Sequence, residues 1–364
     1  MNILHLSSES SWRGGEQQIK YLIEELEAMG IKPIVACKPE SAFESVCIEK
    51  DWEHYPLEMN NSMDIKSAFR LKKLCKQLSI DIVHAHSSHS HGTIYLSYLL
   101  GNKTNVILTR RVDFELKDNL ISKHKYSFPK IKKIVCVSQA VKTIVLETLH
   151  KPELCTTIYD SIDHKKFSLY IGNDYLRKEY KIANDITLIG NTSAIAPHKD
   201  YFTFVNTAHY YIKNFDQKVK FFIIGKGELE SEVKNHIKNL GIEDYFILTG
   251  FVKNIEEVLP SLDVFLMSSK TEGLGTSVID AFASKVPVVA TRAGGIPELV
   301  KDQETGLLAK VGDFQSLANK LFQLKNEHQM REKIIHTAYE YALEFNTKRM
   351  AEEYLKLYKA NIEN

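Results

Sequence analysis

A chain of 364 residues, 44% hydrophobic and 26% charged, is longer than one core usually organises and has an ordinary globular composition, which excludes a disordered or fibrous chain and favours two domains. Its 47 basic side chains against 46 acidic ones leave a formal net charge of +1, so no bulk field attracts nucleic acid or an anionic membrane, and either partner needs a local patch. Five cysteines (Cys37, Cys47, Cys75, Cys136, Cys155) are odd in number and never spaced Cys-x-x-Cys, which speaks against a disulfide framework or zinc site and for a reducing cytosol.

The opening MNILHLSSES has no basic leader ahead of a long apolar run, and no apolar stretch approaches the ~18 residues of a spanning helix, so a chain neither exported nor embedded is expected. NILHLSS then reads as a strand, SSWRGG as a loop, and EQQIKYLIEELEAMG as a helix with Ile19, Leu22, Ile23 and Leu26 on one face, ended by Gly30. KPIVAC follows as a second strand, completing a right-handed crossover unit of a parallel sheet. SIDIVHAH, NVILTRR and KKIVCVSQ continue the β-rich series, which CTTIYDSID closes. A polar stretch from about Asp163 to Asn184 has the composition of a linker with a first helix. The series then restarts with ITLIGNTSAI, VKFFIIGKG, YFILTGFV, DVFLMSS, VPVVATRA and TGLLA, predicting a second sheet. From about Gln315 the tail is helical, and its last helix can pack on either domain.

Within the second series, DVFLMSS, KTEGLG and TSVIDAFAS predict strand, glycine turn and a helix from Thr276, at the carboxyl edge of the sheet where open α/β folds bind ligands. Gly273 and Gly275 permit close backbone approach, and the stretch Gly273, Leu274, Gly275 and Thr276 opens the helix with free amides that suit a phosphate or diphosphate. Asp280, four residues after Thr276, can accept two hydrogen bonds from a vicinal diol such as ribose, while Glu272 stays in the loop within reach of a sugar hydroxyl. Both acids also suit a helix amino terminus through the macrodipole alone. Gly294 and Gly295 make a second tight turn before a helix opened by Pro297. Lys199, after the domain's first strand, can neutralise a diphosphate; alone it would read as a solvated turn residue.

EGLGTSVIDAFASKVPVVATRAGGIPELV followed by TGLL resembles the nucleotide-sugar domain of retaining family-4 glycosyltransferases of the GT-B fold. YDSIDHKKF resembles that family's interdomain motif and SWRGGEQQI its first glycine loop, so the likeness spans nearly the whole chain. It implies two Rossmann-like doubly wound α/β domains facing a central cleft: residues 1–165 on the acceptor side, 166–345 binding the nucleotide sugar, and a C-terminal helix over 346–364 with the option of packing back on the first domain. In the family the loop glutamate contacts the donor sugar and a second acid, after seven intervening residues, binds the ribose. Glu272 and Asp280 stand at those positions, Asp280 one methylene shorter than the usual glutamate. Lys199 matches the lysine of the family's diphosphate clamp, but the arginine position is Ala194, for which Arg13 or Arg110 is offered as compensation. The backbone near Val252 resembles the base-binding loop.

In HAHSSHSH, His84 and His86 share a strand face and His89 and His91 follow, a set that invites a metal; no carboxylate or cysteine accompanies them, and none is expected. The resemblance instead makes His86 the residue facing the donor sugar, with His84 a packed, hydrogen-bonded strand histidine. Gly14 and Gly15 lack the G-x-G-x-x-G fingerprint of a nicotinamide site and read as an amide loop toward the donor. Six lysines between Lys117 and Lys133 face one acid, Asp118, with Phe114, Tyr126 and Phe128 nearby, which suits an anionic membrane surface or simply a solvated helix.

The expected activity is therefore retaining glycosyl transfer from a nucleotide diphosphate sugar to a glycan or lipid-linked acceptor. The expected catalytic residues are Glu272, His86 and Lys199, with no metal or other cofactor and no nucleic acid partner, in the cytoplasm, with the inner face of the cell membrane as an option. A non-catalytic nucleotide-sugar protein, and another GT-B chemistry such as phosphorolysis or epimerisation, are the alternatives.

Overall fold

Runs of apolar residues with both faces buried form strands that only a helix-covered parallel sheet can accommodate. In the computed structural model, which describes residues 1–362, they do so twice. The first unit comprises Met1–Ser161 together with the C-terminal stretch from Thr347. Its strands are β1 (Ile3–Ser7), β2 (Ile34–Cys37), β3 (Glu53–Pro56), β4 (Ile82–Ala85), β5 (Asn105–Arg110), β6 (Ile131–Cys136) and β7 (Cys155–Thr157). All are parallel, in the order β3-β2-β1-β4-β5-β6-β7, so the order reverses between β1 and β4. β3 has no counterpart in the sequence reading: EHYP is a partly exposed edge strand closed by a proline, without an apolar run to announce it.

The first helix, Gly14–Ala28, buries Ile19, Leu22, Ile23 and Leu26 as the periodicity predicts, and Gly30 ends it at φ 84°. It begins two residues earlier than expected, taking Gly14 and Gly15 out of the loop and into the first turn. The final helix, Thr347–Ile362, supplies Met350, Tyr354 and Tyr358 to a core shared with Ile3, Leu22, Ile82, Ile107 and Val135. The tail thus completes the first unit, where the sequence left two places open.

The second unit, Ile162–Asn346, contains β8 (Thr187–Thr192), β9 (Val219–Ile224), β10 (Phe246–Gly250), β11 (Val264–Met267), β12 (Val288–Thr291) and β13 (Leu307–Ala309). These are parallel in the order β10-β9-β8-β11-β12-β13, reversing between β8 and β11. Phe204, Tyr211, Phe221, Leu317 and Leu321 fill its core. The polar segment preceding β8 folds as two short helices, His164–Ser168 and Tyr175–Glu179. Buried Phe167 and Leu176 and an ion pair from Arg177 to Asp263 (2.7 Å) anchor it to this unit.

Candidate functional site

Side chains that follow strands at an order reversal converge, because the loops on either side leave in opposite directions. In the second unit this point lies after β8 and β11. The loop after β8 ends in a turn, Pro197–Lys199, and Asp200 at φ 48° caps the following helix by accepting from the Thr203 amide (3.3 Å), with a second bond from the Thr203 hydroxyl (2.7 Å). The loop after β11 is fastened to it: Ser268 Oγ donates to the Asp200 carbonyl (3.0 Å) and the Lys270 amide to the His198 carbonyl (2.8 Å). From the loop after β12, Thr291 Oγ1 donates to the Ser269 carbonyl (2.6 Å) and the Gly295 amide to the Glu272 carbonyl (2.9 Å).

These bonds hold Glu272 against Lys199. Glu272 Oε1 accepts from Lys199 Nζ at 2.5 Å and from Ser269 Oγ at 2.7 Å, with the two charged side chains 8% and 17% exposed. Charges that far from water persist only when paired, so each fixes the other. The helix Thr276–Ala283 starts beside them from Gly275, which at φ 89° is left-handed. A Cβ there would meet Ile296 Cγ1 at 3.4 Å. No side chain caps this helix, so its first-turn amides point at whatever lies before it.

Asp280, on the same helix, is half-buried, and its carboxylate takes no hydrogen bond or ion pair from any described residue. Burial, then the nearby Glu256 carboxylate, push its pKa up to about 7. Glu256 belongs to the short helix entered from the loop after β10, in which Val252 is half-buried. Ala194 is exposed, and Lys270, in the loop after β11, is paired with Asp200 (3.5 Å). Ser269, which steadies Glu272, has no signal in the sequence beyond its place after a strand.

In the first unit the reversal brings β1 beside β4, with His5 opposite His84. His86, just after β4, is buried; its Nε2 lies 3.1 Å from His5 Nδ1, and its own Nδ1 has no partner. His84 hydrogen-bonds through both nitrogens, to Tyr358 OH and Thr109 Oγ1 at 2.7 Å each. Burial lowers all three imidazole pKa values, that of His5 to about 3, so the three are neutral. Their ligand atoms lie within 4.8 Å of one another, the separation at which a metal could be considered, yet His84 has already committed both nitrogens. His89 is exposed on the helix Ser88–Leu99, and His91 donates to the Lys125 carbonyl (2.8 Å), so the sequence-adjacent histidines do not gather. His5, 79 positions before His84, joins them only through strand pairing.

Gly14 and Gly15 form the first turn of their helix, which no side chain caps. Arg13 is exposed and lies 3.6 Å from Glu9. Arg110 donates to Tyr126 OH (3.2 Å) and the Phe114 carbonyl and sits over the Tyr126 ring, so its guanidinium is engaged in its own unit. In the basic segment, Phe128 is buried, while the helix Leu120–Ser127 fully buries no residue, sets half-buried Tyr126 edge-on to His91 and leaves Leu120 and Ile121 exposed among the lysines.

Residues 12–166 match the model of Glycosyltransferase Family 4, and residues 173–341 match that of Glycosyl transferases group 1. The chain belongs to the family-4, group-1 glycosyltransferases. It is 25% identical, over 81% of its length and 78% of the relative's, to the N-acetyl-alpha-D-glucosaminyl L-malate synthase of Bacillus anthracis. It is 26% identical, over 72% of its length and 71% of the other's, to an Escherichia coli enzyme named UDP-Gal:alpha-D-GlcNAc-diphosphoundecaprenol alpha-1,3-galactosyltransferase. The crystal structure of Anabaena HepE in complex with UDP and glucose superposes with a TM-score of 0.86 at 18% identity, covering 99% of this chain and 100% of that one. The fold is GT-B, with two Rossmann-like domains. No helix among the described residues is long and apolar enough to cross a membrane.

Proposed function

We propose that this glycosyltransferase moves a sugar from a nucleotide diphosphate sugar to a glycan or lipid-linked acceptor, with retention of configuration, in the synthesis of a cell-envelope glycan. The observation that carries this reading is the buried Lys199–Glu272–Ser269 constellation beside an uncapped helix at the strand-order reversal of the second unit. The Anabaena neighbour was crystallised with UDP and glucose, and the two relatives are named for transfer to L-malate and to a diphosphoundecaprenol-linked sugar.

The bond from the sugar's anomeric carbon to the diphosphate oxygen breaks and one to an acceptor hydroxyl forms on the same face. The hydroxyl proton passes to the departing oxygen. The departing group is already an anion, so Lys199 and the amides of Gly275, Thr276 and their neighbours stabilise it where charge develops. Glu272 keeps Lys199 in place and reaches a sugar hydroxyl, and Asp280 takes the ribose diol. Val252 lies at the base, and neutral His86 is the first unit's contact with the sugar. No metal or other cofactor is required in this scheme. Leu120 and Ile121, set among lysines, rest on the anionic membrane that carries a lipid-linked acceptor.

Heating the chain with UDP, GDP or ADP tests the donor site: at about 100 times its Kd one of them should stabilise the chain by ~2.7 kcal/mol, several degrees in Tm. The matching nucleotide sugars should then release free nucleotide when acceptor is supplied. No response to any of the three sinks the reading. The exposed Ala194, where the family clamp has arginine, favours a second reading as a nucleotide-sugar-binding protein without turnover; tight binding with no nucleotide release in the same assay would select it.

A further inference from the structure

Arg111 follows β5 at the carboxyl end of the first sheet, and its side chain is 12% exposed. Nε donates to Asp160 Oδ1 at 3.3 Å, while Nη1 and Nη2 are both buried with no hydrogen-bond partner among the described residues. Asp160 is itself buried, and that burial raises its pKa against the opposing pull of Arg111. A guanidinium held by one edge with both terminal nitrogens dry and unpaired is a costly arrangement that an oxyanion offering two oxygens would complete.

The surroundings present further donors to the same space. A Cβ on Gly15 would make an ordinary contact with Arg111 Cδ at 3.8 Å, which places the first turn of the helix Gly14–Ala28 beside the arginine. His86, with Nδ1 buried and unpaired, is close enough for the Arg111 charge to help hold its pKa down. The one nearby acid on this helix, Glu16, takes a hydrogen bond from Ser7 Oγ (3.1 Å). Burial is the chief cause of its raised pKa.

We propose that the Nη1/Nη2 fork of Arg111 binds an anionic group of the acceptor, a carboxylate or a phosphate, in a subsite of the first unit beside His86 and the first turn of the helix Gly14–Ala28. This rests on the glycosyl-transfer reading, in which the donor diphosphate is taken by Lys199 and the second unit. Both acceptor types that frame that reading carry such oxygens.

The test titrates inorganic phosphate and malonate, separately, into the full chain by calorimetry, using the wild type, R111Q and R111K. The wild type should bind at least one probe; phosphate alone points to a phosphorylated acceptor and malonate alone to a carboxylate. R111Q should raise that Kd at least tenfold. R111K should restore little of it, because an ammonium cannot offer the fork. Stabilisation by whichever nucleoside diphosphate stabilises the wild type shows that each variant is folded. Binding of neither probe, or binding indifferent to both substitutions, overturns the proposal. So does displacement of the probe by saturating nucleoside diphosphate, which would give the fork to the donor. Nucleotide release from a donor with Arg111-independent probe binding would leave glycosyl transfer standing and remove this subsite; Arg111-dependent binding without turnover of any donor would do the reverse.

Discussion

Replacing Asp280 with asparagine separates a ribose contact from a helix-stabilising acid, because the two roles have opposite signs. Burial and Glu256 raise this carboxyl from an ordinary 3.8 to about 7. That difference corresponds to as much as ~4 kcal/mol against the ionised form in the native state. Between those two values the native state binds the proton more tightly than the unfolded chain, so stability falls as pH rises toward 7 and the full penalty is present above it. Asp280→Asn should therefore be more stable than the wild type at pH 8, by ~1–4 kcal/mol, with the gap closing as the pH is lowered toward 4. Donor binding should move the other way. If only the carboxylate accepts both ribose hydroxyls, affinity of the wild type should drop about tenfold from pH 8 to pH 6 as a group titrating near 7 takes up its proton. The sugar ester of whichever nucleoside diphosphate stabilises the chain is the suitable probe, since its esterified diphosphate does not titrate in this range. The variant should bind about tenfold more weakly than the wild type at pH 8, the loss of one charge-assisted hydrogen bond, with no pH dependence between 6 and 8. Urea unfolding and calorimetry at the two pH values read both effects. A variant less stable at pH 8, or one binding that nucleotide sugar as the wild type does, refutes the reasoning.

Lys199→Ala should lower turnover about 100-fold or more while the chain stays folded, since it removes a charge that acts on the departing diphosphate; Glu272→Gln, which keeps an acceptor for Ser269, should also lose turnover. Nucleotide release at the wild-type rate from either would end the assignment. Gly275→Ala should destabilise the second unit by ~1–2 kcal/mol in urea, because φ 89° disfavours any Cβ and Ile296 stands at 3.4 Å from it; an unchanged midpoint would contradict that. Changing Leu120 and Ile121 together to serine should leave stability within about 0.5 kcal/mol, as neither is buried, and reduce sedimentation with phosphatidylglycerol vesicles severalfold. Equal sedimentation of variant and wild type would dismiss the membrane contact.

The strand series, the helix from Thr276 and the glycine turn before it were legible in the chain because each is set by neighbours in sequence: apolar runs, period, and residues that tolerate a left-handed backbone. The same holds for Glu272, Lys199 and Asp280 as candidates, which their places after strands and at a helix start single out. β3 escaped because an edge strand needs no apolar pattern, and the tail's partner stayed open because an amphipathic helix specifies a face to bury but not the surface that receives it. Tertiary structure alone decided that Ser269 and Lys199 meet on one oxygen of Glu272, that His5 rather than His89 or His91 joins His84 and His86, and that Arg111 keeps a buried fork unpaired. Those outcomes depend on which strands lie side by side and on how much water their packing removes. Such long-range terms change the strength and protonation of a charged group without leaving a mark in the residues next to it.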